Sequence, residues 1–338
     1  MSDTKKRRKR VKVYSYTLPQ KTHTRCILMI LGNGSVAFEF NVTSNIYYIG
    51  IFDAKNMKVL VLGHKGWIGG KICDILSRRQ IDYVVTLNIR GEDEALKTFI
   101  SVNEITHVYC CLGRTHGRVG DKVYATIDYL QNAETFKENM NDNLYVPLSL
   151  ALFCDKIDVH FTYIGTGCIF NEGSKDFTEE DIPNFFGSNY SIVKGFTDML
   201  MKQTKCLQLR IRMPISGENN PRNFITKITT YDRICSTVNS MSVLDELLPL
   251  SVEMMVNSET GCYNFTNPGT ITHNKILEMY REIVDPHFNW LNMSLEQQNQ
   301  ILLSKRSNNS LDTKKIQAKY HVDSIETAVR KCLEVMKK

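Results

Sequence analysis

The chain of 338 residues lacks a C-x-x-C pair although it carries ten cysteines, and its eight histidines are not gathered beside them. That argues against a zinc site, because tetrahedral zinc needs closely spaced thiolate and imidazole ligands. No metal is expected. The chain also lacks a secretory leader and any apolar run long enough to span a bilayer, so no membrane association is expected. Its thiols read as reduced and its compartment as the cytoplasm. There is no internal repeat. Charge imbalance is missing too, except in one place. The formal net charge is +6, but Lys5, Lys6, Arg7, Arg8, Lys9, Arg10 and Lys12 account for it, and the remainder is close to neutral. Nothing in the body of the chain calls for nucleic acid.

What is present begins with a hydrophobic content of 42%, enough for a sizeable core. Residues 1–56 differ from the rest. The basic run reads as a solvated tail, with a nuclear address or an anion-binding arm as alternatives. Two β-like runs, Cys26–Ile30 and Val36–Phe40, flank a Gly-rich turn and read as a hairpin. Met57 begins a complete fold by itself, so this extension is either an addition or the product of an upstream start.

From Lys58 the pattern is strand, Gly-rich turn, helix. Val59–Leu62 is a short apolar run of the kind buried in a parallel sheet. Strands are also expected at Tyr83–Leu87, His107–Leu112, Val159–Ile164 and Cys206–Ile211, with helices at 68–79, 92–103, 143–154 and 188–202. This alternation predicts an α/β fold: a Rossmann-type doubly wound parallel sheet with a smaller C-terminal substrate lobe. The dinucleotide-binding domain is placed at 57–215. The lobe is placed mainly at 216–338, with about 238–260 returning to the Rossmann domain.

Two constellations carry chemistry. Gly63-His64-Lys65-Gly66-Trp67-Ile68-Gly69 follows the first strand and opens a helix. Glycines there let the backbone turn tightly and approach a pyrophosphate at the helix N-terminus. The second strand ends Leu87-Asn88-Ile89-Arg90, without the acid that would bind the ribose of NAD. Arg90, with Lys65, favours the 2′-phosphate of NADPH, with NADH as the alternative. The second constellation is Tyr190-Ser191-Ile192-Val193-Lys194. Residues four apart share a helix face, and an ammonium there is expected to lower the phenol pKa. Such a tyrosine can protonate a carbonyl oxygen as hydride reaches the carbon. Thr166, at a strand end, could hydrogen-bond the same oxygen.

Glycine turn, strand-end threonine and Y-x-x-x-K together resemble the extended short-chain dehydrogenase/reductases. Further blocks are similar to one subgroup: Thr166–Phe170, Pro183–Phe185, Arg212–Ser216, Asn220–Lys227, Leu244–Pro249, Tyr263–Gly269 and Arg306–Asn309. That subgroup is the bifunctional UDP-4-keto-6-deoxyglucose 3,5-epimerase/4-reductases, related to dTDP-4-dehydrorhamnose reductases. The resemblance covers nearly everything after Met57 and is looser between Gly113 and Asn139.

The resemblance implies that Thr166, Tyr190 and Lys194 form a reductase triad, with Tyr190 and Lys194 also binding the cofactor, and that Cys168 and Lys227 are acid/base groups in epimerisation. Trp67 and Ile68 fall within the cofactor turn. Asn223 and Arg306 are expected at the sugar and the diphosphate, and Asn143, at a helix start, is expected to bind substrate with them. It further implies a nucleotide-sugar substrate, an upstream 4,6-dehydratase that supplies it, and a homodimer. The alternatives are a monofunctional dTDP-4-dehydrorhamnose-type reductase and a non-catalytic nucleotide-binding regulatory subunit.

Overall fold

Short runs rich in β-branched and aromatic residues form four strands near the N-terminus: β1 (Lys12–Thr17), β2 (Arg25–Ile30), β3 (Val36–Val42) and β4 (Asn45–Phe52). They pair antiparallel in sequence order, with Ile30 opposite Val36 in the β2–β3 pair. The computed structural model describes these strands together with residues 57–86, 93–173 and 175–337. Arg90 and the basic run Lys5–Arg10 lie outside the described residues. The chain divides into two compact units, Met1–Lys58 and Val59–Lys338.

The second unit is built on β5 (Lys58–Leu62), β6 (Asp82–Val85), β7 (His107–Cys110), β10 (His160–Thr166), β11 (Leu207–Ile211) and β14 (Gly261–Asn264). A small antiparallel pair, β8 (Gly117–Val119) and β9 (Lys122–Tyr124), lies between β7 and β10 in the chain, and two short strands, β12 (Arg233–Ile234) and β13 (Val238–Asn239), lie between β11 and β14. The main sheet runs β14-β11-β10-β7-β5-β6. Its β5–β7, β7–β10, β10–β11 and β11–β14 ladders are parallel. Val59, Leu60, Val61 and Leu62 are completely buried, because a central parallel strand is covered on both faces. The helices that cover it are α1 (Trp67–Arg78) and α7 (Leu244–Val256), which pack together, and α2 (Asp93–Val102), α4 (Val146–Lys156) and α5 (Asn189–Met201). A short α3 (Phe136–Met140) precedes α4. This is the expected doubly wound Rossmann sheet. The chain passes from β5 outward to β6 and then back to β7 on the other side of β5. A crevice therefore opens at the carboxyl ends of β5 and β7.

A second core gathers Ile215, Ile225, Ile228, Ile271, Leu277 and Val329. It involves α6 (Phe224–Ile228), α8 (His273–Ile283) and α11 (Ile325–Met336). Among the described residues no helix is long and apolar enough to cross a membrane.

Three half-buried histidines give this fold a defined sensitivity to acid. The His107 and His160 rings lie 5.3 Å apart at the start of β7 and β10. Burial, and then the His160 charge, hold His107 down at about 4, and burial lowers His160 also. Burial holds His273, at the start of α8, at about 4. The folded state keeps these rings neutral, while the unfolded chain takes up protons below about 6.5. Stability is thus complete above 6.5 and falls as pH drops from 6.5 towards 4. His107 alone contributes up to about 3 kcal/mol of that loss. The urea midpoint should fall between pH 7 and pH 5, and His107→Gln should flatten the fall.

Candidate active site

The switch-point crevice is shaped first by its glycines. Gly63 turns the chain after β5 with φ +82°, a conformation that suits glycine. Gly69, in the first turn of α1, packs so tightly that a Cβ there would stand 2.2 Å from the Gly63 carbonyl oxygen. No side chain caps α1, and its first turn holds no acidic residue. Its leading N–H groups and the positive end of its dipole are therefore available to a phosphate. The turn fits a dinucleotide. Lys65, Gly66, Trp67 and Ile68 line the same cavity, which has a volume of about 800 Å³. The Trp67 indole N–H also donates to the Glu218 carboxylate.

The middle of the cavity comes from β10 and α5. Ser188 caps α5 by accepting from the Ser191 N–H at 3.0 Å, which sets Tyr190 in the first turn and Lys194 one turn on. Thr166 ends β10, and its hydroxyl accepts from the Cys168 N–H at 3.1 Å. Burial and the neighbouring Cys168 thiol raise the Tyr190 pKa, and a hydrogen bond from Thr166 opposes them. The expectation that Lys194 lowers this phenol is not met. Lys194 is buried, and its ammonium donates instead to the Tyr163 hydroxyl. Burial lowers Lys194 to about 8, and the Cys110 and Asp198 charges act against that shift. Tyr190 is thus held protonated. Cys168 is a free thiol, partly exposed, on the cavity wall.

Lys227 reaches the cavity from α6. Burial lowers its pKa, and the charges of Arg222 and Arg306 lower it further. All three cations line the wall, with Tyr231. Arg306 is not free: its guanidinium grips both Asp128 oxygens, each at 3.1 Å. Asp128 belongs to the 113–139 stretch where the resemblance is loose, so sequence comparison gave no signal for it. Arg222 lies inside the Asn220–Lys227 block and could have been read there.

Two asparagines are placed differently from the expectation. Asn223 is completely buried and is not among the cavity-lining residues. Its side chain donates to the Ser216 and Glu218 carbonyls at 2.7 and 2.8 Å and accepts from the Ile225 N–H at 3.2 Å. It caps α6 and pins the loop before it, which spends the amide the sugar was to meet. Asn143 does border the cavity. Its amide is committed to the Arg114 N–H and carbonyl, both at 2.9 Å, and to Asn139 at 2.8 Å. It precedes α4 in a wider turn, since α4 itself starts at Val146 with Pro147 in its first turn.

Sheet order, glycine cradle and the Tyr190–Lys194 helix define an NAD(P)-dependent enzyme of the Rossmann type. A model of the NAD dependent epimerase/dehydratase family matches residues 59–211. The chain is 49% identical over 291 residues to protein L780 of Acanthamoeba polyphaga mimivirus, covering 83% of this chain and 99% of that one. The crystal structure of the L780 UDP-rhamnose synthase from that virus superposes with a TM-score of 0.80 at 48% identity, over 83% of this chain and 99% of the other. A bifunctional dTDP-4-dehydrorhamnose 3,5-epimerase/dTDP-4-dehydrorhamnose reductase of Arabidopsis thaliana is 38% identical over 276 residues, which is 79% of this chain and 89% of that protein. The chain belongs to the NAD dependent epimerase/dehydratase family.

Proposed function

We propose that this enzyme inverts C3 and C5 of UDP-4-keto-6-deoxy-D-glucose and then reduces C4 with NADPH, giving UDP-L-rhamnose. The observation that carries the proposal is one cavity lined by Thr166, Tyr190 and Lys194 together with Cys168 and Lys227. The first three suit carbonyl reduction, and the other two add proton-transfer groups that reduction alone does not need. The similarity to a UDP-rhamnose synthase and to a bifunctional epimerase/reductase supports the same reading.

The chemistry follows from acidity. C3 and C5 both flank the C4 ketone, so each can lose a proton to form an enolate. Lys227, whose pKa is depressed, serves as the base, and the Cys168 thiol returns a proton on the other face. Thr166 and Tyr190 hold the enolate oxygen. Bound NADPH would supply hydride to C4. Tyr190 then gives its phenol proton to O4, with the Thr166 hydroxyl and the Lys194 ammonium supporting it. Arg222 suits the diphosphate, because guanidinium grips phosphate oxygens in pairs, with Arg306 held by Asp128 on the same wall. Lys65 serves the NADPH 2′-phosphate. A separate 4,6-dehydratase supplies the substrate in the cytoplasm. The exposed apolar side chains Leu152 on α4 and Phe196 and Leu200 on α5 support a homodimer.

Incubation with the 4-keto sugar and NADPH in deuterated water tests this directly. The NMR spectrum of the product should show deuterium at C3 and C5 and protium at C4. Reduction without deuterium at C3 and C5 would mean a monofunctional reductase. No NADPH consumption would mean a nucleotide-binding regulatory chain.

A further inference from the structure

We propose that Tyr163 is a positioning residue for hydride transfer, its hydroxyl anchoring the Lys194 ammonium from beneath the cavity. The inference rests on the reductase reading of Tyr190 and Lys194, and it adds a residue outside that motif.

Tyr163 lies in β10, 1% exposed, and its hydroxyl bonds Lys194 among the described residues. Phe161 stands two residues earlier on the same strand face and in the same apolar core. There the sheet uses an aromatic ring without a hydroxyl. A buried hydroxyl costs stability unless it is bonded, so its place at 163 needs a partner. Lys194 is that partner, and the need is mutual. Lys194 is 5% exposed, and none of the described carboxylates forms an ion pair with its ammonium. Asp198, one turn further along α5, is held by Arg210 through two bonds of 2.8 and 2.7 Å. Gly113 leaves room on the cavity side, where an added Cβ would stand 4.0 Å from the Lys194 nitrogen.

The anchor has two consequences. It fixes the ammonium over the Tyr163 ring, 4.7 Å from the ring centre, rather than letting the side chain fold into the cavity. It also favours the charged form, against the burial that lowers Lys194 to about 8. The other ionisable groups around the pair are Cys110 on β7, Tyr190 and Asp198 on α5, and Cys206 before β11. Tyr163 is the one that touches the ammonium through a hydrogen bond.

Tyr163→Phe keeps the ring and removes the anchor. The kcat of NADPH-dependent reduction should fall about tenfold, with KM for the nucleotide sugar within about twofold. The alkaline limb of the kcat profile should move to lower pH by about one unit, because a bond to a charged group has been lost. A stability cycle supplies a readout that needs no turnover. Tyr163→Phe should lower Tm by about 3 °C in the native background. The same change should raise Tm when Lys194 is already Met, because the buried hydroxyl then has no partner. The cycle separates failure of the anchor from failure of the reductase reading. An unmoved alkaline limb, or an equal Tm cost with and without Lys194, overturns the proposal.

Discussion

Tyr190→Phe should lower kcat for reduction of the 4-keto sugar about a thousandfold, a loss of about 4 kcal/mol in transition-state stabilisation. The magnitude follows from what the phenol does. In the proposed reduction the ketone oxygen becomes an alkoxide that needs a proton as hydride reaches C4, and Tyr190, kept protonated by burial, would supply it. Phenylalanine fills the same space in the first turn of α5 and leaves Thr166 and Lys194 in place. KM for the nucleotide sugar and binding of NADPH, read by fluorescence quenching, should therefore change little. Deuterium exchange at C3 and C5 should fall less than reduction, because Thr166 still holds the enolate oxygen. The wild-type alkaline limb should reflect Lys194, which loses its proton as pH rises through about 8. A Tyr190→Phe enzyme within tenfold of wild type would sink the assignment of Tyr190 as proton donor.

How much of this was legible beforehand depends on the distance over which each feature is determined. Val59–Leu62 is uniformly apolar and meets Gly63 at once, so strand and turn are local facts. Tyr190 and Lys194 are one helical turn apart, and any helix there puts them on one face. Tyr163 and Lys194 are 31 residues apart, and they meet because α5 packs on β10. Asp128 and Arg306 are 178 apart, and Asp128 sits in a short helical turn within the stretch where the resemblance is looser. Asn143 and Asn223 show a different limit. An amide bonds backbone or ligand with equal ease, and its sequence neighbours do not say which. The phenol went astray for an energetic reason. The expected effect of the lysine charge was real chemistry, but desolvation is the larger influence at a site this enclosed.

Cys168→Ala separates the two halves of the proposed reaction. Exchange of deuterium into C3 and C5, followed without NADPH, should slow about 10²- to 10⁴-fold, the range for losing a positioned proton-transfer group. Reduction of an already epimerised 4-keto sugar should stay within about threefold. The reason lies in the backbone. Cys168 supports Thr166 through its own N–H, and alanine keeps that N–H. The strand-end hydroxyl and its bond to Tyr190 are thus preserved, while the thiol alone is removed. Stability should change by no more than about 1 kcal/mol, since Cys168 is partly exposed and leaves no closed cavity. Lys227→Met should give the complementary loss, because it removes the base rather than the acid. Because base and acid serve one proton relay, the double variant should exchange scarcely more slowly than the weaker single one. Exchange at the native rate in Cys168→Ala would leave a reductase that happens to have a thiol on its wall.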